Sequence, residues 1–385
     1  MSIGLLVASA SPEQRMRRIV VASLRAAFAW SVRATRQEAM PEICRMTGVV
    51  MEALGPGRGP VAPMELVHLL HGRLGAVLGD VAGGDTEIGE TVLLEAGRMT
   101  EAAISLAAEY VVPLGLGVDA EWLPSWTRMR AEEIEHATFM SFRANKKQDE
   151  YVRSRRFIIE HPAGSHEVVT DIASRMGIAG TASYMELADD QVYRTEEGHR
   201  WWWSCAQCRW PMRVSGRRVR CWYAPHRPVY EIQPGSRPGT APRLLRVDEG
   251  PPRVQLPQAQ DAAGACCVEA GVWRHIVVPG STELRILREL ESAAVQVEIW
   301  PELDAYDLHV VAGTETFKVD VKEYRSASQL IEKLRARPPR SDVVIVLPKD
   351  REEQRPLVSD ALPGIRVWTE SWLRSRVRRA VRSAA

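Results

Sequence analysis

Lysine is scarce in this sequence: Lys146, Lys147, Lys318, Lys322, Lys333 and Lys349 are all there is, against 44 arginines. An arginine excess of this kind follows genome composition and says nothing of function by itself. The scarcity makes each lysine informative, and four of the six fall between 318 and 349. Cysteine is also scarce, at six residues, which excludes a disulfide-stapled mini-protein. Cys205, Cys208 and Cys221 are clustered, and in a cytosolic chain that pattern favours metal over disulfides. No run of about 18 apolar residues occurs, so no transmembrane helix and no membrane partner are expected. The short apolar start has no basic segment before it and meets charge at once, so no secretory leader is expected and a cytoplasmic location follows. With 45% hydrophobic and 26% charged residues, the chain is neither disordered nor collagenous.

The formal net charge is only +1, but it is unevenly spread. Ten arginines stand between Arg209 and Arg253 against Glu231, Asp248 and Glu249, and six in the last twenty residues against Glu370. Either stretch can follow a phosphate backbone or serve as a solvated basic surface.

At about 150 residues per domain, 385 residues suggest two or three domains. The expected class is a multi-domain α+β chain. Residues 1–150 read as a helical domain, opening at Ser11-Pro12, with MELVHLLHGRLGAVLG and LLEAGRMTEAAISLAAEYVV as further helices. His68/His71 and Glu133/His136 have helical spacing for a metal but no partner nearby, so a half-buried helix face is the better reading. Residues 151–200 read as a helical connector, with a helix-turn-helix about Gly177 as one reading. Residues 201–232 are a small zinc-ribbon-like module, 233–265 a linker rich in Pro, Gly and Ala, and 266–385 an α/β domain.

In the module, Cys205-x2-Cys208 places two thiolates on one tight turn. Cys221 follows across a hairpin with Ser215-Gly216 at its tip, and His226 lies beyond it. Cys205, Cys208, Cys221 and His226 form a candidate Cys3His site for structural Zn²⁺, with His199 as a rival fourth ligand. The alternative is three buried thiols in a Trp-rich core. Cys266 and Cys267 read as packing thiols. A filled four-ligand site leaves no position for water, so its expected role is to fix a module with little core.

The strongest chemistry lies between Pro279 and Pro348. The order is αβββαβ: a helix capped by Ser281 or Thr282, a strand VQVEIWPEL, a hairpin turning at Gly313, a helix capped by Ser326, and the apolar strand DVVIVLP. Asp307 opens the second strand, Asp320 lies near the end of the third, and Lys322 shares its face with Asp320. Phe317, Val319 and Val321 form the opposite, apolar face. Glu283 on the preceding helix can reach the same end of the sheet. Carboxylates with open water positions suit Mg²⁺ (or Mn²⁺). Such a metal neutralises charge on a scissile phosphate and lowers the pKa of a bound water. Lys322 would orient that water and stabilise developing charge, and Val321 would lend its carbonyl to the metal. Asp304 is an alternative to Asp307, and Gln329 a possible contact of the site. Trp300, Tyr306 and Glu323 read as structural.

The D-x12-D-x-K spacing within αβββαβ resembles the PD-(D/E)XK restriction-endonuclease-like superfamily, over about residues 270–350. Asp307 corresponds to the first acid, Asp320 to the D/E position and Lys322 to the lysine, although no Pro precedes Asp307. More narrowly, GVWRHIVVPGSTELRILREL, VEIWPELDAYDLHV and VDVKEYRS, behind a CxxC module followed by WPM, resemble the restriction-endonuclease-like protein encoded beside bacterial PIWI-RE proteins. That resemblance implies DNA cleavage in an antiphage or anti-plasmid defence island, with a PIWI-RE protein and a DinG-type helicase as partners. Double-strand cleavage by one such site calls for a homodimer or two successive nicks. The competing reading is a catalytically degenerate zinc-ribbon adaptor or scaffold for a defence complex.

Overall fold

The computed structural model describes residues 12–82, 86–110, 140, 147–178, 184–235, 237, 239–248, 256–291 and 295–384. The Ser11 cap and the Glu133/His136 pair lie outside the described residues. The fold is mixed α+β, and the chain divides into two compact units. One comprises residues 1–130 and 322–369, the other 131–321 and 370–385. The segment read as one C-terminal domain, 266–385, is therefore shared between them. No described helix is long and apolar enough to cross a membrane.

In the first unit the Pro12–Val32 helix buries Met16, Ile19, Val20 and Leu24 together with Ala22, Ala26 and Ala29. The small alanines let the Ala39–Leu54 helix pack closely, and the buried ion pair Arg25–Glu42, at 2.7 Å, ties the two together. The expected helix across residues 93–112 is a correction: Leu94–Glu95 and Arg98–Met99 pair as a two-stranded hairpin. Ala96 and Gly97 both take positive φ at its turn, and the helix starts only at Glu101. The second segment of this unit contributes the Ala327–Ala336 helix, in which the Ser326 side chain accepts from Gln329 N as expected. The fully buried Val343–Leu347 strand pairs in parallel with Val367–Thr369.

The second unit carries the basic module and the acid-bearing strands. The segment read as a linker, 233–265, contributes strands among its described residues: Arg243–Arg246 pairs with Val229–Gln233, and Gln260–Asp261 with Arg200–Trp202. Leu244 is buried in that pairing, and two neighbouring strands satisfy backbone that Pro and Gly only punctuate. The helix-turn-helix reading also fails. The His166–Arg175 helix is capped by Ser165 and ends near Gly177, and the next described element is the strand Tyr184–Glu186, not a helix.

The Val278–Leu290 helix continues out of a π-helical turn at Trp273–Val277. Neither Ser281 nor Thr282 caps it: Pro279 occupies its first turn, where no N–H is needed, and Ser281 Oγ donates back to Val277 O. Gly280 lets this helix approach the Gln148–Glu160 helix, since a Cβ there would stand 2.3 Å from Ile159 Cδ1. The antiparallel strands Val295–Ile299, Leu308–Ala312 and Glu315–Val321 follow. The first is shorter than expected, because Trp300 turns into the left-handed region. The hairpin turns at Gly313, whose φ is +58°. A Cβ there would meet Ala380 O at 2.8 Å on the Glu370–Ala384 helix.

Candidate metal centre and candidate acid site

The cysteine cluster is assembled by two hairpin-like turns. Cys205 and Cys208 sit on a tight turn closed by Arg209 N donating to Cys205 O, with Arg209 left-handed at φ 60°. Cys221 follows the Arg218–Arg220 strand, and its hairpin with Arg213–Ser215 turns at Gly216 as expected. Cys208 Sγ lies 3.7 Å from Cys221 Sγ, and His226 Nδ1 lies 3.4 Å from Cys221 Sγ and 3.6 Å from Cys205 Sγ. All four ligand atoms lie within 4.8 Å of one another. Tetrahedral Zn²⁺ with Zn–S bonds of about 2.3 Å requires sulfurs about 3.8 Å apart, so the cluster fits a metal such as zinc without rearrangement. Ring nitrogen reaches the sulfurs from His226 and not from His199.

The surroundings suit thiolates. Gln207 N–H and Tyr223 N–H donate to Cys205 and Cys221 sulfur, each at 3.4 Å, and Trp273 Nε1 donates to Cys208 at 3.4 Å. Hydrogen bonds from Cys208 and Cys221 hold the Cys205 thiol well below its ordinary range, while burial pushes Cys221 up. Trp210 stacks on Trp273 at 4.5 Å, and Trp202 and Trp203 are buried, so these indoles pack the module. Cys266 and Cys267 are buried in the Ala265–Val268 strand, where burial drives Cys267 up to about 12; they are packing thiols, as expected.

The acid site is assembled by strand register. Leu308 pairs with Val319, so Asp307 comes one step before the strand and opposite Asp320. Asp307 is buried, its N–H donates to Val319 O at 2.9 Å, and its Oδ2 accepts from Val321 N–H at 2.6 Å. Val321, Val319 and Phe317 are buried, and Lys318 and Asp320 on the other face are half-buried, as the alternation predicts. Lys322 follows as the first residue of the other unit's second segment, its N–H donating to Val346 O.

Glu283 takes a different role from the one its position suggests. It is 2% exposed and bound by Arg155 Nη2 at 2.9 and 3.2 Å and by Trp300 Nε1 at 2.5 Å. Arg155 also pairs with Asp304. Its guanidinium is held firmly charged despite complete burial, because Asp304, Glu283 and Asp307 surround it. Among the described residues, only the Cys3His set brings three or more ligand atoms together; Glu283, Asp307 and Asp320 do not form such a set. Sequence reading missed Arg155. The one available signal is its spacing of four from Tyr151, which places it on the buried side of its helix beside Ile158 and Ile159.

Residues 280–385 match the family model described as REase associating with pPIWI_RE, and residues 15–165 match pPIWI_RE three-gene island domain Y. The chain carries two domains of the pPIWI_RE three-gene island. No curated protein and no solved structure matches it. The REase match contains Glu283, Asp307, Asp320 and Lys322, and the domain-Y match contains Arg155. The cysteine module lies between the two matches.

Proposed function

We propose that this island protein is a metal-dependent endonuclease that hydrolyses DNA phosphodiester bonds, working in antiphage or anti-plasmid defence with a PIWI-RE protein and a DinG-type helicase. The observation that carries this reading is the register of Asp307 against Asp320, with Asp307 fixed by the Val321 N–H and Lys322 two residues past Asp320. The helix–three strands–helix–strand order from Val278 to Leu347 supports a restriction-endonuclease-like core of the PD-(D/E)XK type.

The donors fit a hard cation. Asp307, Asp320 and the Val321 carbonyl offer oxygen only, as Mg²⁺ or Mn²⁺ prefers. Bound there, the metal would lower the pKa of a water and neutralise charge on the scissile phosphate. Asp307 and Asp320 would hold that metal through their carboxylates. Lys322 would orient the attacking water and offset developing negative charge. Glu283 stands behind these acids on its helix, where it holds Arg155 and the Trp300 indole N–H. Exposed Arg218, Arg243, Arg378, Arg379 and Arg382 offer cations to the DNA backbone. The Cys3His cluster holds structural Zn²⁺, since its four ligands leave no position for substrate water.

Supercoiled plasmid with Mg²⁺ or Mn²⁺ tests the reading, beside an Asp320→Asn, Lys322→Ala double variant. Nicking or linearisation by the unaltered chain alone supports it. If neither protein cuts, alone or with its island partners added, the reading falls. A second reading, a zinc-ribbon adaptor with a degenerate site, is favoured by one observation: the Glu283 carboxylate is taken up by Arg155 and Trp300.

A further inference from the structure

The turn that leads to Asp307 holds the densest backbone strain among the described residues. Trp300, Glu302, Leu303 and Asp304 all have positive φ, at 49°, 55°, 55° and 71°. None is glycine, and side chains rarely adopt this conformation. Such geometry persists only where the surroundings over-determine it, and it clusters at functional sites.

One helix supplies those surroundings. Gln148, at the start of the Gln148–Glu160 helix, donates through Nε2 to Trp300 O at 2.8 Å and accepts through Oε1 from Leu303 N–H at 2.9 Å. Two turns further along, Arg155 pairs with Asp304 and lies 4.4 Å over the Trp300 ring. It also grips Glu283, which takes the Trp300 indole N–H. Trp300 N–H in turn donates to Asp307 O at 2.7 Å. A continuous set of contacts therefore runs from the helix, through the strained turn, to the backbone of Asp307.

We infer that Gln148 and Arg155 are positioning residues for Asp307, holding the left-handed turn that presents its carboxylate to the metal. The inference rests on the nuclease reading above. The REase match begins at residue 280, so the segment it covers lacks the helix that sets its own acid. The arrangement also explains why Glu283 and Asp304 are acidic although neither joins a convergent ligand set: both are counter-ions of the same buried guanidinium.

The test uses the full zinc-loaded chain. Mn²⁺ affinity is measured by calorimetry without DNA, together with the Mn²⁺ concentration for half-maximal cleavage and the unfolding midpoint. Gln148→Ala is expected to fold with a midpoint near that of the unaltered chain, and to bind Mn²⁺ about 10–100-fold more weakly. Raised Mn²⁺ is expected to restore its cleavage, because the carboxylate is displaced and not removed. Arg155→Lys, which keeps the charge but loses the fork, is expected to shift Mn²⁺ affinity the same way. If it does not fold, Gln148→Ala decides alone. A merely structural role would move the midpoint and leave the metal dependence unchanged, and that result overturns the inference. Asp307→Asn and Asp320→Asn separate the two levels. If both lose Mn²⁺ while Gln148→Ala binds normally, only the positioning inference fails. If both bind Mn²⁺ like the unaltered chain, the nuclease reading fails and takes the inference with it.

Discussion

The cysteine module and the acid site lie in the same unit and reach assembly by opposite routes. Cys205, Cys208, Cys221 and His226 fall within 22 consecutive residues, and their ligand atoms already converge within 4.8 Å. Their spacing alone nearly fixes the site, because two tight turns bring the ligands together wherever the module sits. The acids span Glu283 to Asp320, and one of them faces an arginine 128 positions away. Here short-range pattern places Asp307 against Asp320 but cannot place Glu283, whose partner arrives from another helix. A site made of turns is local; a site made of strand register plus a buried ion network depends on packing.

The largest effect that would sharpen this contrast is on the module. Cys208→Ser should reduce zinc from one per chain to near none, measured by metal analysis. It should also expose residues 201–246 to protease, because structural zinc contributes on the order of 10 kcal/mol to such modules. The comparison breaks if the variant keeps both zinc and protease resistance. At the acid site, Asp320→Asn should lower cleavage by about 10²–10³-fold or more, comparable with loss of one preorganised electrostatic group, while leaving the unfolding midpoint nearly unchanged. A midpoint that falls with activity would make Asp320 a structural residue.

Arg155→Met should act the other way round. It leaves Glu283 buried and Asp304 half-buried without their counter-ion, at a cost of about 3–5 kcal/mol read from the denaturant midpoint. Gly313→Ala should cost about 1–2 kcal/mol, from the positive φ and from the contact of its Cβ with Ala380 O. The smallest effect is electrostatic. Arg246 beside Asp248 holds that carboxyl down at about 2. A lowered folded-state pKa gives stability that is present above the unfolded value of about 3.9 and lost as pH falls from there toward 2. Asp248→Asn should flatten the acid limb of the stability curve by about 1 kcal/mol or less, since the half-buried pair keeps contact with solvent.

Much of the acid-bearing hairpin was legible. Gly313 marked its turn, the alternation of Phe317, Val319 and Val321 marked its buried face, and Ser326 marked the next helix start. The Leu94–Met99 hairpin was not, because its two-residue strands are shorter than any periodicity that could reveal them. The Arg243–Arg246 strand was hidden by flanking Pro and Gly, although Leu244 fills the sheet's buried face. The left-handed turn at Trp300–Asp304 carries no glycine to announce it.

Sequence by itself determined the cysteine cluster, the alternation that sets Asp320 on the face away from Phe317, Val319 and Val321, and the register of Asp307 against Asp320. Each depends on geometry that repeats every two residues or closes within one turn. Tertiary structure alone decided that Glu283 and Asp304 answer to Arg155, that Gln148 holds the strained turn, and that residues 266–385 are divided between two units. Those outcomes depend on which faces become buried together, and a buried charge takes its partner from whatever packing brings within reach.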